Sequence, residues 1–120
     1  MKYSIGVDVG GTNVKFGLVN PSGDIEFRAR LETAKFINSK SRLIKAIVDK
    51  INAIIEERKI KKTDIQGIGF GLPGLVDSQK GIVTFLPNIP GWRNVPLKNI
   101  IQTYLKIPVF LDNDVNLITL

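Results

Sequence analysis

The 120-residue sequence contains no cysteine and no histidine. Without thiols there is no disulfide framework, and the redox compartment leaves no mark on the composition. Without thiolate or imidazole groups the usual ligands of a zinc site are missing as well. No apolar run approaches the roughly 18 residues that a membrane-spanning helix needs, so no membrane partner is expected. The first residues lack the basic and apolar regions of a signal peptide. Together these absences predict a cytoplasmic protein. Aromatic residues are also scarce, at 8%, and none interleaves with the basic run Arg58-Lys59-Ile60-Lys61-Lys62. A stacking platform for single-stranded nucleic acid would want that interleaving. The net charge is +6, but its lysines and arginines are scattered. The run falls at the end of an expected helix, where cations complement exposed carbonyls. No nucleic-acid partner is expected.

What the sequence does carry begins at once. An apolar strand from Tyr3 to Val9 holds one acid, Asp8, and runs into Gly10-Gly11-Thr12-Asn13 before a second apolar stretch. Adjacent glycines let a backbone turn tightly and approach a ligand closely, and consecutive N–H groups in such a turn form a concavity for an anion. A carboxylate beside that concavity suits hydrated Mg²⁺, which binds through few carboxylates and through substrate phosphates. The same residues also fit an ordinary hairpin turn. They do not form a Walker A loop, because a strand follows where that motif needs a helix. An ionised carboxylate inside an apolar strand costs free energy unless something pairs with it, which favours the phosphate-binding reading.

Strands are expected at Tyr3–Val9, Val14–Asn20 and Ile25–Leu31, an antiparallel meander with a Pro21-Ser22-Gly23-Asp24 turn. From Asn38 to Arg58 the residues Leu43, Ile44, Ile47, Val48, Ile51, Ile54 and Ile55 recur at helical spacing, with Ser39 and Ser41 as candidate caps. Ile65–Gly71 reads as a strand whose glycines 67, 69 and 71 share one face, against which something bulky must press. Pro73 and Gly74 stand where a dinucleotide-binding fingerprint would need its helix to open. Leu72–Asp77 is instead expected to loop back into a short strand, with a further strand at Ile82–Phe85.

Pro87-Asn88-Ile89-Pro90-Gly91-Trp92 is a stiff loop carrying one amide and one large aromatic. An amide both donates and accepts hydrogen bonds, which suits recognition of hydroxyl groups. Trp92 either faces a sugar pocket or, the favoured reading, anchors the loop to the core. A helix over Leu97–Leu105 and a strand over Ile107–Leu111 lead to Asp112-Asn113-Asp114-Val115-Asn116, where a new helical pattern starts and is cut at Leu120. Any of residues 112 to 114 suits a helix cap. An acid there should stay ionised and stands well placed to accept a proton from a substrate hydroxyl.

Four motifs, Asp8-x-Gly10-Gly11-Thr12, Gly71-x-Pro73-Gly74-x-Val76-Asp77, Pro87-Asn88-x-x-Gly91-Trp92 and Asp112-Asn113-Asp114-x-Asn116, occur in one order. They resemble the N-terminal domain of the ROK family of repressors and sugar kinases, within the actin-like ATPase superfamily, and most resemble its bacterial glucokinases. The resemblance covers essentially the whole chain. It implies an α/β domain of ribonuclease H-like type, with a mixed five-stranded sheet flanked by helices. This would be the first of two domains closing over ATP and a hexose, glucose above all. It implies Asp114 as the catalytic base, and Asn113, Asn88, Asp114 and the backbone around Gly74 as sugar-binding groups. Gly10, Gly11, Thr12 and Asn13 would hold the transferring phosphate, with Asp8 acting on Mg²⁺ through water and Lys15 adding positive charge. The nucleotide-binding half, and with it any Cys- and His-based structural zinc site, would lie outside these residues, so the chain alone is expected not to phosphorylate sugar. The resemblance leaves room for a homodimer.

Two other classes stay open. One is a sugar-sensing regulator without catalysis, although Met1 leads straight into the first strand with no preceding DNA-binding module. The other is an actin-like assembly ATPase, which would share the phosphate turn and have no need of Pro87-Asn88 or Asp112-Asn113-Asp114.

Overall fold

Alternation along the first strand decides the architecture. In β1 (Tyr3–Val9), Ile5, Val7 and Val9 are buried while Asp8 and Ser4 are half-buried, because successive side chains of a strand point to opposite faces. The structure, a computed structural model, describes residues 2–113. Strand β2 (Asn13–Val19) pairs antiparallel with β1, and β3 (Ile25–Glu32) pairs antiparallel with β2. Strands β4 (Ile65–Gly71) and β8 (Val109–Asp112) join in parallel on the other side of β1. The sheet order is β3-β2-β1-β4-β8, so the expected mixed five-stranded sheet is present.

Helix α1 (Lys40–Glu57) connects β3 to β4 and buries the seven apolar residues picked out by their spacing. Each such side chain contributes about 1.5–3 kcal/mol by leaving water. The helix starts two residues later than expected, at the cap Ser39, whose hydroxyl accepts from the Arg42 N–H at 3.3 Å. Its end also differs from expectation. No basic residue stands in the last turn; the cationic run lies just beyond it. Lys59 takes a left-handed conformation, φ 55°, and Ile60 N–H donates to the Ile55 carbonyl at 3.1 Å, a closure that satisfies free helix-end carbonyls. Arg58 turns to the sheet instead, 3.6 Å from Glu26 and stacked over Phe27.

A second, three-stranded antiparallel sheet holds β5 (Leu75–Asp77), β6 (Ile82–Phe85) and β7 (Arg93–Val95). Strand β7 was not legible beforehand: three residues are too few to show a period. Helix α2 (Leu97–Leu105) follows as expected, packs on α1 and ends at Lys106, again left-handed. Strand β8 begins two residues later than the apolar run, just after Pro108, which has no N–H to give to a ladder, and Gln102 Oε1 accepts from the Val109 N–H at 2.9 Å. The bulk expected against Gly67 is Phe110 on the neighbouring strand. A Cβ at residue 67 would stand 2.8 Å from that ring.

Candidate functional site

In register across the sheet, Asp8 stands opposite Gly71 of β4, and Gly71 opposite Asp112 of β8. These are the carboxyl ends of three parallel strands, the edge at which open α/β sheets bind ligands. Among the described residues, those expected from the sequence lie at the end of β1 and in the turn into β2, just after β4, on the loop after β6 and just after β8.

The turn after β1 is closed by Gly10 N–H donating to the Asn13 carbonyl at 2.9 Å. Gly10 has an ordinary negative φ; what excludes a side chain is proximity, since a Cβ there would stand 2.9 Å from that same oxygen. Gly10 N–H is thus committed to the turn itself. Among the described residues, the N–H groups of Gly11 and Thr12 donate to no protein acceptor, which leaves two adjacent donors for an anion. Lys15 faces Asp8 across the β1–β2 ladder and is flanked by Arg30 of β3. A single carboxylate next to two unclaimed N–H groups is a donor set that fits hydrated Mg²⁺ carried by a phosphate, and it is too small to hold a bare cation.

Sequence reasoning missed one residue that shapes this turn. Thr33, fully buried just after β3, donates its hydroxyl to the Gly10 carbonyl at 2.7 Å, and its N–H to the Thr12 carbonyl at 3.0 Å. It brackets the turn from behind. A lone threonine after a strand gives no signal in periodicity or motif.

The second motif is bound to the third by packing. A Cβ on Gly74 would collide with the Phe85 carbonyl and stand 3.0 Å from Leu86, so the Pro73-Gly74 backbone lies flat on the strand that leads into Pro87-Asn88. That loop is pinned by Leu86 N–H to the Trp92 carbonyl at 3.1 Å and by buried Leu86, Ile89 and Trp92. Trp92 is 1% exposed, so it anchors the loop to the core. Its indole N–H has no partner among the described residues. Asn88 stays exposed, and its Cβ stands 3.4 Å from where a Cβ on Gly11 would be. The exposed amide and the glycine turn are therefore neighbours, although 77 positions apart in sequence.

The fourth motif is tied in through Leu72 N–H, which donates to the Asp112 carbonyl at 2.9 Å. The exits from β4 and β8 run side by side, with Asn113 exposed at the bend. Asp112 ends a strand here and caps no described helix. Asp114, the expected proton acceptor, lies outside the described residues.

The sequence profile of the ROK family matches residues 4–120. A glucokinase of Halalkalibacterium halodurans is 33% identical over 119 residues, 99% of this chain and 36% of that protein. A xylose repressor of Caldicellulosiruptor bescii is 32% identical, over 93% of this chain and 28% of that protein. Among solved structures, a ROK family glucokinase from Streptomyces griseus in complex with glucose and AMPPNP superposes with a TM-score of 0.69. It is 32% identical over 95% of this chain and 34% of that one. The chain thus spans about a third of the length of the relatives it matches.

Proposed function

Because the chain belongs to the ROK family, we propose that it is the N-terminal, sugar- and phosphate-binding domain of a two-domain, ATP-dependent hexose kinase. Glucose is the proposed substrate and glucose 6-phosphate the product. The observation that carries this reading is the seating of Asn88 against Gly11. It puts a hydroxyl-reading amide within one side chain of the phosphate turn. Similarity to the two glucokinases supports it, and the glucose and AMPPNP bound in one of them support hexose and ATP as the ligands.

In the proposed reaction the sugar C6 hydroxyl oxygen bonds to the γ-phosphorus while the bond to the bridging oxygen breaks and ADP leaves. Asp114 accepts the hydroxyl proton. The N–H groups of Gly11 and Thr12 donate to the transferring phosphoryl group, Gly10 closes the turn, and Asn13 and Lys15 flank it. Asn88, Asn113 and the backbone at Gly74 orient the sugar hydroxyls. Mg²⁺, held through water by Asp8, would supply charge neutralisation on the phosphates. Phosphoryl transfer asks for positioning and charge neutralisation more than for covalent work by the protein, and the donors and charges of these residue types suit both.

The test is coupled ADP release by the full-length protein against a panel of hexoses, with Asp114→Asn in parallel. The expected outcome is sugar-dependent turnover whose kcat falls about a hundredfold or more in the variant, the usual worth of general-base catalysis, with sugar Kd little changed. Unimpaired turnover in the variant removes Asp114 from the mechanism. A second reading, a sugar-sensing regulator, draws on the xylose repressor, whose identity to this chain nearly equals that of the glucokinase. Sugar binding without ADP release would favour it.

A further inference from the structure

A hollow of about 690 Å³ opens between β3 and one side of α1, a volume in the range of small-molecule sites. Its α1 wall is a single stripe of the helix. Arg42, Ala46, Lys50 and Ala53 follow one another there at steps of four, four and three residues, the spacing that stacks side chains on one face. Cations thus alternate with alanines, whose short side chains leave a channel. Leu31 and Phe36 complete an apolar floor. The register sets Leu31 opposite buried Val14, on the face of the sheet that packs against α1. Arg30 and Glu32 also border the hollow, from the row of β3 that faces the other way, and they carry opposite charges.

The charge inside the hollow therefore comes from α1 and from the turn Thr33–Phe36. Asp49 is engaged by Lys45 at 3.4 Å. Lys35, Arg42 and Lys50 have no carboxylate partner among the described residues, and Lys50 is half-buried. An ammonium drawn out of water without a counter-charge costs free energy, and an anion entering the hollow would offset that cost. The Arg42 guanidinium lies 5.9 Å from the centre of the Phe36 ring, so charge and apolar surface meet at one place. The stripe from Arg42 to Ala53 is about 16 Å long at 1.5 Å per residue, which suits an extended chain better than a compact ring.

The turn also ties this hollow to the far side of β2. Thr33, its first residue, holds the Gly10 and Thr12 carbonyls, and Lys35 and Phe36 follow two and three positions later. A ligand that grips Lys35 and Phe36 bears on the bracket behind residues 10–12.

We propose that this hollow is an effector site for an amphipathic anion, a carboxylate on an unbranched acyl chain, whose binding is passed through Thr33 to the turn after β1. The chain lies over Ala46, Ala53, Leu31 and Phe36, and the carboxylate meets Lys35, Arg42 and Lys50.

The test is titration of the purified 120-residue chain with decanoate, followed by amide shifts in NMR. Shifts are expected at Leu31, along Thr33–Phe36, on the Arg42–Ala53 stripe and, beyond them, at Gly11 and Thr12. Arg42→Gln/Lys50→Gln removes charge with little change of bulk and should weaken binding about tenfold or more. Ala46→Leu fills the channel, leaves the charge alone and should do the same. Circular dichroism verifies that each variant is folded. Decanol, with the chain and no charge, should bind at least about tenfold more weakly, and acetate should move none of these amides. Decanol or acetate acting as well as decanoate, indifference to both variants, shifts elsewhere, or no binding would overturn the proposal. So would a filled hollow that leaves Gly11 and Thr12 unmoved, or binding only to phosphatidylglycerol vesicles, which would mark a membrane surface. None of these outcomes depends on whether the full-length protein phosphorylates sugar.

Discussion

At the scale of single residues, the turn after β1 is braced by a residue that no motif contains. Thr33→Val removes a buried hydroxyl from the Gly10 carbonyl and should destabilise the fold by about 1–3 kcal/mol, the penalty for an orphaned buried polar group. Thr33→Ser should recover most of it, with urea unfolding as the measurement. The two glycines of the turn should separate cleanly. Gly10→Ala forces a Cβ to 2.9 Å from the Asn13 oxygen and should cost about 1–3 kcal/mol, as overpacking does. Gly11→Ala meets only Asn88 at ordinary contact distance and should stay within about 0.5 kcal/mol. If both behave alike in the same denaturation series, the turn is not closed as described. The glycine pair was readable in the sequence as a turn, and Asp8 as an acid in an apolar strand. Which glycine closes the turn and which lies open beside Asn88 was not, because that depends on where residues 13 and 88 come to lie.

At the scale of elements, the helices and long strands were readable because their apolar residues keep a period. Their ends were less so, since caps are set by local backbone conformation. The close of α1 supports a prediction. Lys59 holds a left-handed conformation, which costs an L-residue about 1–2 kcal/mol. Lys59→Gly relieves that strain at some expense in unfolded-state entropy. A net gain of about 0.5–1 kcal/mol is expected, seen as a higher Tm in calorimetry. At the other end, Ser39→Ala removes the cap on Arg42 N–H and should cost about 1 kcal/mol, a loss of about 4 °C in Tm for a chain of this size. The three-stranded sheet was legible only in part. Strands of three or four residues are too short for alternation to stand out, and they are held by cross-strand pairing such as Val83 with Val95.

At the scale of the whole molecule, the sheet has one apolar face, packed by α1 and α2, and one face bearing Ser4, Asp8, Lys15, Arg28 and Arg30 among glycines. The site sits at the edge where β1, β4 and β8 end. In the proposed kinase this edge forms one wall of a cleft, so the 120-residue chain by itself should release no ADP above background with any hexose. Sugar-dependent ADP release by the isolated chain would show that the second wall is dispensable. The sequence by itself determined the order of the main-sheet strands and the two α-helices, the buried set of α1, the two glycines at the turn and the membership of the family, because periodicity and short motifs are local properties. Only the tertiary structure decided that Asn88 abuts Gly11, that Thr33 braces the turn, that Trp92 is an anchor and that β3 is an open edge. Those outcomes depend on which strands pair and which loops pack, and pairing joins residues far apart through backbone hydrogen bonds that carry no side-chain signature.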